Sequence, residues 1–316
     1  MGQKSKKKAA TRKEDEKTIL LDVLGCETAL FRANFPDDED KRIKLIDELD
    51  ADLAKIFKDE DTDIAPEYAN TLYNMAYALF TDVQARMDFM GDMYVREAEE
   101  KAGKRKASED MPNEEEKAEM ESGVAEDMNT AWMYSELARK SFELRMNNAK
   151  EKGEDAKMHM RDLAMVMLLQ GEINAENEML ELAETDVRGA IEGLALSTDE
   201  KKPIPCQLEA VIQMATLVLM RKEKEQQQEV LDYIAKAKAI LELLQKNDAL
   251  VSAQLDDWRE AILGLEQDWD EIKNMTEEDK ATIGQAIEGM IPEDVRDKEP
   301  SEDEGEVHEV VARARK

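Results

Sequence analysis

Cysteine is scarce in this chain. Its 316 residues include two, Cys26 and Cys206, which lie far apart with no second metal-ligating residue close to either. A disulfide framework needs several closely spaced cysteines, and a cysteine-based zinc site needs paired ligands. The sequence therefore predicts two unrelated buried thiols in a reducing compartment.

Proline, glycine and aromatic residues are also few, and long hydrophobic runs are missing. Seven prolines, 13 glycines and 5% aromatic residues are low for a β-rich protein and favour helices. No run of eighteen apolar residues occurs, and the basic start MGQKSKKKAATRK has no apolar signal core after it. We therefore expect an intracellular soluble protein without a membrane partner.

Positive charge is in short supply as well. Asp and Glu total 75 against 44 Lys and Arg, which gives a net charge of −31. Proteins that grip nucleic acid neutralise phosphates with basic side chains, and this charge would repel them. The balance excludes direct nucleic-acid binding and favours a basic partner.

Composition divides the chain into segments. Residues 1–16 are polar and charge-dense, which predicts a disordered basic arm, and residues 276–316 predict a mostly disordered acidic tail. The segment 97–126 is rich in Glu with scattered Gly, Ser and Pro, so we expect a flexible acidic insert. The folded domain is predicted to span 17–275.

Apolar residues recur at helical spacing through most of that domain. The first predicted helix runs from Thr18 to Phe35, where Pro36 ends it, and a short helix is expected within the tail at 277–290. The remaining predicted helices cover about 37–57, 66–95, 127–150, 155–173, 175–197, 203–224, 227–247 and 249–274.

The helices also show a pairwise pattern. The first helix of each pair places small residues among large apolar ones, and its partner carries an apolar seam at i, i+4 and i+7. Small residues let antiparallel helices approach closely, and the seams bury each pair against the next. The pattern predicts an all-α, TPR-like α-solenoid of about four pairs with a C-terminal capping helix, interrupted by the acidic insert. An irregular helical bundle is the alternative.

One region resembles a known family more specifically. The chain resumes after the insert as EDMNTAWMYSELARKSF and continues with MLLQGEINAENEML. Over about 17–275 it resembles the histone chaperones named for nuclear autoantigenic sperm protein, with their SHNi-type TPR domain. The matching residues are Ala131, Trp132, Leu137, Ala138, Arg139, Lys140 and Phe142, and the glutamates Glu172, Glu176 and Glu178. The insert is shorter than in vertebrate members, and Ile212 and Thr216 stand where the family has tyrosine and leucine.

The resemblance implies a function and a binding site. It implies binding of histone H3 and the H3–H4 dimer in the nucleus and cytoplasm, and the clusters KSKKK, KRK and RARK suit nuclear import. Glu172, Glu176 and Glu178 would form a concave acidic cluster, with Ile212 and Thr216 on the groove side. Binding of linker histone and homodimer formation stay open.

Three further residues of the resemblance are expected to be structural: Trp132, Ala138 and Gly171. We expect Trp132 to be buried against the preceding helix. Because Glu172 and Glu176 are like charges four residues apart, replacing the glutamate cluster by Gln is expected to leave stability level or to raise it slightly.

Catalytic motifs are not found. The sequence has no phosphate-binding Gly-rich loop, and neither of its two histidines lies in a catalytic pattern. We therefore expect a protein that is not an enzyme and needs no cofactor. The second hypothesis is a TPR co-chaperone that clamps the acidic peptide of a heat-shock chaperone, with Arg161 as the main basic candidate. A third is an acidic scaffold without a histone role.

Overall fold

The chain folds into α-helices. The computed structural model describes residues 21, 23–57, 64–101, 112–221, 227–250 and 252–274, and no β-strand occurs among them. The predicted arm, the tail and the short helix at 277–290 lie outside these residues. The helices are α1 Glu27–Ala33, α2 Glu39–Ile56, α3 Ala69–Lys101, α4 Glu114–Lys152, α5 Lys157–Glu176, α6 Leu180–Ser197, α7 Pro205–Arg221, α8 Gln227–Lys246 and α9 Ser252–Asn274. The prediction of an all-α fold is confirmed.

Consecutive helices pack as pairs. Helix α3 packs on α4, α5 on α6, and α7 on α8, while α4 packs on α5 and α6 on α7. Connections of a few residues within the last two pairs make those partners antiparallel. Helix α1 packs on both α3 and α5, and α5 also contacts α7. The first helices of successive pairs therefore meet on one side, with α1 against them.

The predicted seams form the core of these pairs. Every residue named here is buried: Leu72, Met75, Ala76, Leu79, Ala131, Ser135, Ala138, Ala183, Val187, Ala190, Met214, Ala215, Val218, Val230, Ile234 and Ala237. At Gly171, an added Cβ would clash with Val187 Cγ2 and lie 3.3 Å from the backbone oxygen of Ala183. The missing side chain therefore permits the close approach of α5 and α6.

The chain divides into two compact units, residues 1–266 and 267–316. The first unit contains α1 to α8 and most of α9, including the ion pair between Lys238 and Glu266. The second contributes only the end of α9, from Gln267 to Asn274, to the described residues.

The first predicted helix is interrupted. Gly25 has a φ of +86°, in the left-handed region, and Cys26 is extended before α1 begins at Glu27. An added Cβ at Gly25 would lie 3.0 Å from Ile204 Cδ1. The prediction of one continuous helix to Phe35 is therefore wrong, because the chain turns at a glycine whose conformation other residues rarely adopt.

The helices on either side of the predicted acidic insert are longer than expected. Helix α3 continues to Lys101 and α4 begins at Glu114, and residues 102–111 between them lie outside the described residues. Asn113 caps α4: its side chain accepts from the backbone of Glu115 and Glu116, and Glu116 accepts from the backbone of Asn113. The expected flexible segment 97–126 is thus wrong for 114–126, where this capping box starts a helix that buries Val124.

The expectation for Trp132 also changes. Its neighbours Ala131 and Ser135 are fully buried, but Trp132 itself is half-buried. The prediction of a buried tryptophan is wrong, because position 132 lies at the edge of the face that α4 packs against its neighbours. Ala138, in contrast, is fully buried.

The two cysteines are close together. Both are free and buried, and the Cys26 thiol lies near enough to perturb the Cys206 thiol. The Cys206 Sγ also lies 3.5 Å from the backbone oxygen of Leu24. The neighbouring Cys26 thiol, together with burial, raises the pKa of Cys206 well above its usual value. The prediction of unrelated thiols is wrong, because the turn at Gly25 brings Cys26 against the first turn of α7.

A buried carboxylate anchors the start of α1. The Thr28 backbone N–H and hydroxyl both donate to Asp162 Oδ1 of α5, at 3.0 and 2.9 Å. Burial raises the pKa of Asp162 to about 6, although the hydrogen bonds from Thr28 lower it; Glu27 and Arg145 contribute smaller opposing effects. The folded protein therefore keeps a proton on Asp162 that the unfolded chain releases between pH 4 and 6.

We expect Asp162→Asn to remove this pH dependence. Because the folded state binds more protons between pH 4 and 6, the free energy of unfolding of the parent falls across that range. Asn keeps an oxygen acceptor for Thr28. The free energy of unfolding of the variant, relative to that of the parent, should therefore rise by about 2–3 kcal/mol as the pH increases from 4 to 7. Urea unfolding at several pH values measures the difference. Asp155→Asn, at an exposed position before α5, controls for the loss of one carboxylate. If the free energy of unfolding depended on pH in the same way in the parent and in Asp162→Asn, the prediction would be contradicted.

Candidate binding site on the first helices

Polar and aromatic side chains line the side on which the first helices meet. Tyr73 and Tyr77 lie one turn apart on α3, and Glu172 and Glu176 lie one turn apart on α5. Glu209 begins a corresponding row on α7. We call this side the inner face.

The C-terminal turn of α1 places Arg32 in the middle of the inner face. Its Nε donates to Tyr73 Oη at 2.6 Å, and Nη1 and Nη2 donate to the two carboxylate oxygens of Glu172 at 3.3 and 3.1 Å. Nη1 also donates to Glu209. The side chain of Arg32 is 10% exposed, against 24% for Glu172 and 30% for Glu209. Arg32 is therefore held by all three first helices through a bidentate pair and two further acceptors.

Aromatic rings surround this guanidinium. The Arg32 Cζ lies 4.8 Å from the centre of the Tyr77 ring. Phe31 and Phe35 of the α1 segment pack edge-on against Tyr77, with ring centres 6.1 and 5.2 Å apart, and Tyr73 stacks on it at 6.3 Å. The rings limit water access, which strengthens the electrostatic contacts of the guanidinium.

The charge states follow from these contacts. Burial lowers the pKa of Arg32, but the carboxylate of Glu172 and its other partners raise it more, so the guanidinium stays charged. Burial raises the pKa of Tyr73 well above its usual value, and that of Tyr77 less strongly. The Arg32 cluster, which we define as Arg32, Tyr73, Tyr77, Glu172 and Glu209, thus combines one cation, two carboxylates and two neutral phenols.

The predicted glutamate cluster is only partly brought together. Glu172 is half-buried and bound to Arg32, whereas Glu176 is exposed and its carboxylate lies 3.4 Å from Gln84 Nε2. Glu178 is also exposed, but it lies after the end of α5, in a turn with a φ of +58°. The structure therefore places Glu172 and Glu176 on one face of α5, pairs Glu172 with Arg32, and places Glu178 in the turn after the helix.

The two predicted groove residues on α7 lie on the inner face. Ile212 is half-buried and Thr216 is exposed, at helical spacing from Glu209. The Thr216 hydroxyl donates to the backbone oxygen of Ile212 at 3.2 Å. They extend the face from the Arg32 cluster toward the end of α7.

Sequence reasoning missed Arg32 and Glu209. Each is the only charge of its sign in a helix with few charges: Arg32 is the only basic residue in α1, and Glu209 is the only acidic residue in α7. A single charge in an otherwise apolar helix needs a partner of opposite sign when it is buried. The sequence signal that could have revealed this pair was a single basic residue in one helix and a single acidic residue in another.

No family model matches this chain, and no curated protein is significantly similar to it. Among the described residues, no group of three or more His, Cys, Asp or Glu side chains is arranged to hold a metal ion. In the same part of the chain, no helix is both long enough and apolar enough to cross a membrane.

The basic candidate for a peptide clamp is already engaged. Arg161 donates to the backbone oxygens of Gly25 and Ser197, at 3.1 and 2.7 Å. These contacts tie the turn before α1 to the end of α6.

Proposed function

We propose that this protein is a non-enzymatic histone chaperone that binds H3 and the H3–H4 dimer on the inner face. The observation that carries the proposal is the arrangement of carboxylates there: Glu172 and Glu176 from α5 and Glu209 from α7. A partner rich in arginine could form charge-assisted, bidentate contacts with such groups. The resemblance described above supports a histone as that partner.

The charge of the whole chain supports the same proposal. A net charge of −31 attracts a basic protein over long distances and competes with its non-specific binding to nucleic acid. Such a field speeds encounter more than it tightens the final complex. The exposed groups Glu176 and Thr216 then offer short-range contacts on the inner face.

The expected effect of the exposed carboxylates at the end of α5 can be measured with Glu176→Gln/Glu178→Gln, one on the inner face and one in the turn that follows the helix. Both side chains are exposed, and Gln keeps nearly the same size and shape. Each lost charge-assisted contact should cost on the order of 1 kcal/mol, so affinity for H3–H4 should fall by roughly 5- to 30-fold. Association and dissociation rates at two salt concentrations measure it.

A control variant that loses the same number of charges distinguishes local contacts with the histone from the long-range electrostatic attraction of the whole chain. Glu181→Gln/Glu192→Gln removes two exposed glutamates from α6, the second helix of the same pair. We expect this control to change the association rate slightly and the dissociation rate very little. Equal dissociation rates in both double variants would show that the inner face is not the histone-binding surface, and no binding by the parent would overturn the proposed function itself.

A further inference from the structure

The walls of the Arg32 cluster fit one chemical group closely. Glu172 accepts both Nη groups, Tyr73 accepts Nε, and Glu209 accepts Nη1 from a second side. The face of the group lies over the Tyr77 ring. A planar guanidinium has the several fixed donors that this arrangement needs, whereas an ammonium group is a compact point charge.

All of the side chains that surround the Arg32 guanidinium in this cluster belong to helices other than α1. Tyr73 and Tyr77 come from α3, Glu172 from α5 and Glu209 from α7, and these helices pack on one another without α1. Helix α1 supplies the cation. The pocket is therefore a feature of the paired helices, and α1 is its occupant.

Arg32 lies on a short helix that begins just after a glycine. Helix α1 has seven residues and follows Gly25 in its left-handed conformation. Its other end is held by Asn34, whose side chain donates to the backbone oxygen of Leu30 at 2.7 Å. Gly25 can absorb a change in the direction of this segment, because glycine reaches both signs of φ at little cost. Displacing α1 would also break the hydrogen bonds from Thr28 to Asp162.

Removing the occupant leaves two half-buried carboxylates facing each other. Glu172 and Glu209 both contact Arg32, and without a cation they repel each other in a site where water screens poorly. An incoming arginine keeps both carboxylates paired with a cation during the exchange. An apolar partner would leave them unpaired, so the pocket discriminates for arginine.

We infer that the Arg32 cluster is a recognition pocket for an arginine side chain, which Arg32 fills within the chain and for which an arginine-bearing basic partner competes. This inference rests on the proposed function for the identity of the partner, and the pocket itself is tested without it. The partner's arginine would replace α1 on Glu172, Glu209, Tyr73 and Tyr77.

The first test is chemical rescue of full-length Arg32→Ala. The variant should melt at a lower temperature than the parent. About 20 mM methylguanidinium should raise its Tm by roughly 3–6 °C, whereas equal methylammonium should not, since only the former reproduces the bidentate contact. Arg188→Ala, which removes an exposed arginine paired with Glu229 at 3.5 Å, is the matched control and should show no difference between the two ions. Equal shifts with both ions in Arg32→Ala would overturn the inference.

The second test measures competition with histone. Without its internal occupant the pocket should bind H3–H4 about fivefold or more tightly than the parent, while Arg188→Ala should change affinity less than twofold. Affinity of Arg32→Ala equal to that of Arg188→Ala, or weaker, would make Arg32 a structural clamp. Rescue by methylguanidinium with no histone binding by the parent would retain the pocket and overturn only the proposed function.

A conservative variant decides the case if Arg32→Ala does not fold. Arg32→Lys keeps the charge but loses the planar fork, so it should fold and be displaced more easily than the native arginine. We expect it to bind H3–H4 more tightly than the parent. Binding equal to or weaker than the parent would contradict displacement of α1.

Discussion

Gly171→Leu is expected to destabilise the protein by about 3–5 kcal/mol, even though leucine is the better helix former. The first added carbon would already overlap Val187 Cγ2, and the Ala183 backbone oxygen lies 3.3 Å from it. Val187 is fully buried and β-branched, so it has no alternative rotamer with free space. Urea unfolding of the variant measures the loss.

Two further variants isolate the cause. Gly91→Leu is the matched control, because Gly91 lies within α3 and an added Cβ meets nothing within 4 Å. It should leave stability level or raise it by about 0.5–1 kcal/mol. In the background of Val187→Ala, the cost of Gly171→Leu should shrink by at least about 1 kcal/mol, which a double-mutant cycle detects. Additive losses would place the strain elsewhere than between α5 and α6.

The core of the helix pairs could be predicted from the sequence. Residues such as Ala131, Ala183 and Val187 lie on seams of regular spacing, and all three are fully buried. Helical periodicity depends on neighbours a few positions apart, so a single sequence carries it. Gly171 was recognised for the same reason, as a small residue within such a pattern.

The helix boundaries were harder to predict from the sequence. Apolar periodicity continues across Gly25, and only the backbone conformation there reveals the break before α1. In the insert, acidic composition concealed the capping box at Asn113 and the buried side chains of Lys117 and Val124. The Lys117 ammonium lies over the Tyr94 ring, at 5.8 Å from its centre, so a charged residue contributes to packing there. Average composition does not register such specific contacts.

The Arg32 cluster could not be assembled from local patterns. Arg32 is 140 residues from Glu172 and 177 from Glu209 in sequence. Helical spacing correctly put Glu172 and Glu176 on one face of α5, but the groups that approach that face come from distant segments. The same limit applied to Cys26 and Cys206, whose contact depends on how α1 lies against α7.

Glu172→Gln is expected to lower the free energy of unfolding by about 2–3 kcal/mol. The sequence alone predicted a level or slightly raised stability, from relief of repulsion between Glu172 and Glu176. The structure reverses that expectation because Glu172 accepts both Nη groups of Arg32, whose side chain is 10% exposed. Without the Glu172 carboxylate, Arg32 keeps Glu209 and Tyr73 as acceptors, so its buried charge is less well compensated. Thermal and urea unfolding of the single variant measure the effect.

Glu176→Gln provides the comparison that gives this result its meaning. It is the same substitution one turn further along α5, at an exposed side chain, and its effect on stability should stay within about 0.5 kcal/mol. If both variants were equally stable, the ion pair between Arg32 and Glu172 would contribute nothing to the fold. If only Glu172→Gln is destabilised, histone binding by that variant combines two opposing effects: a lost contact, which weakens binding, and a more easily displaced α1, which strengthens it. Glu176→Gln would then report on histone binding without disturbing the fold. Glu172 acts first as the internal partner of Arg32, and it becomes available to an external arginine only when α1 gives way.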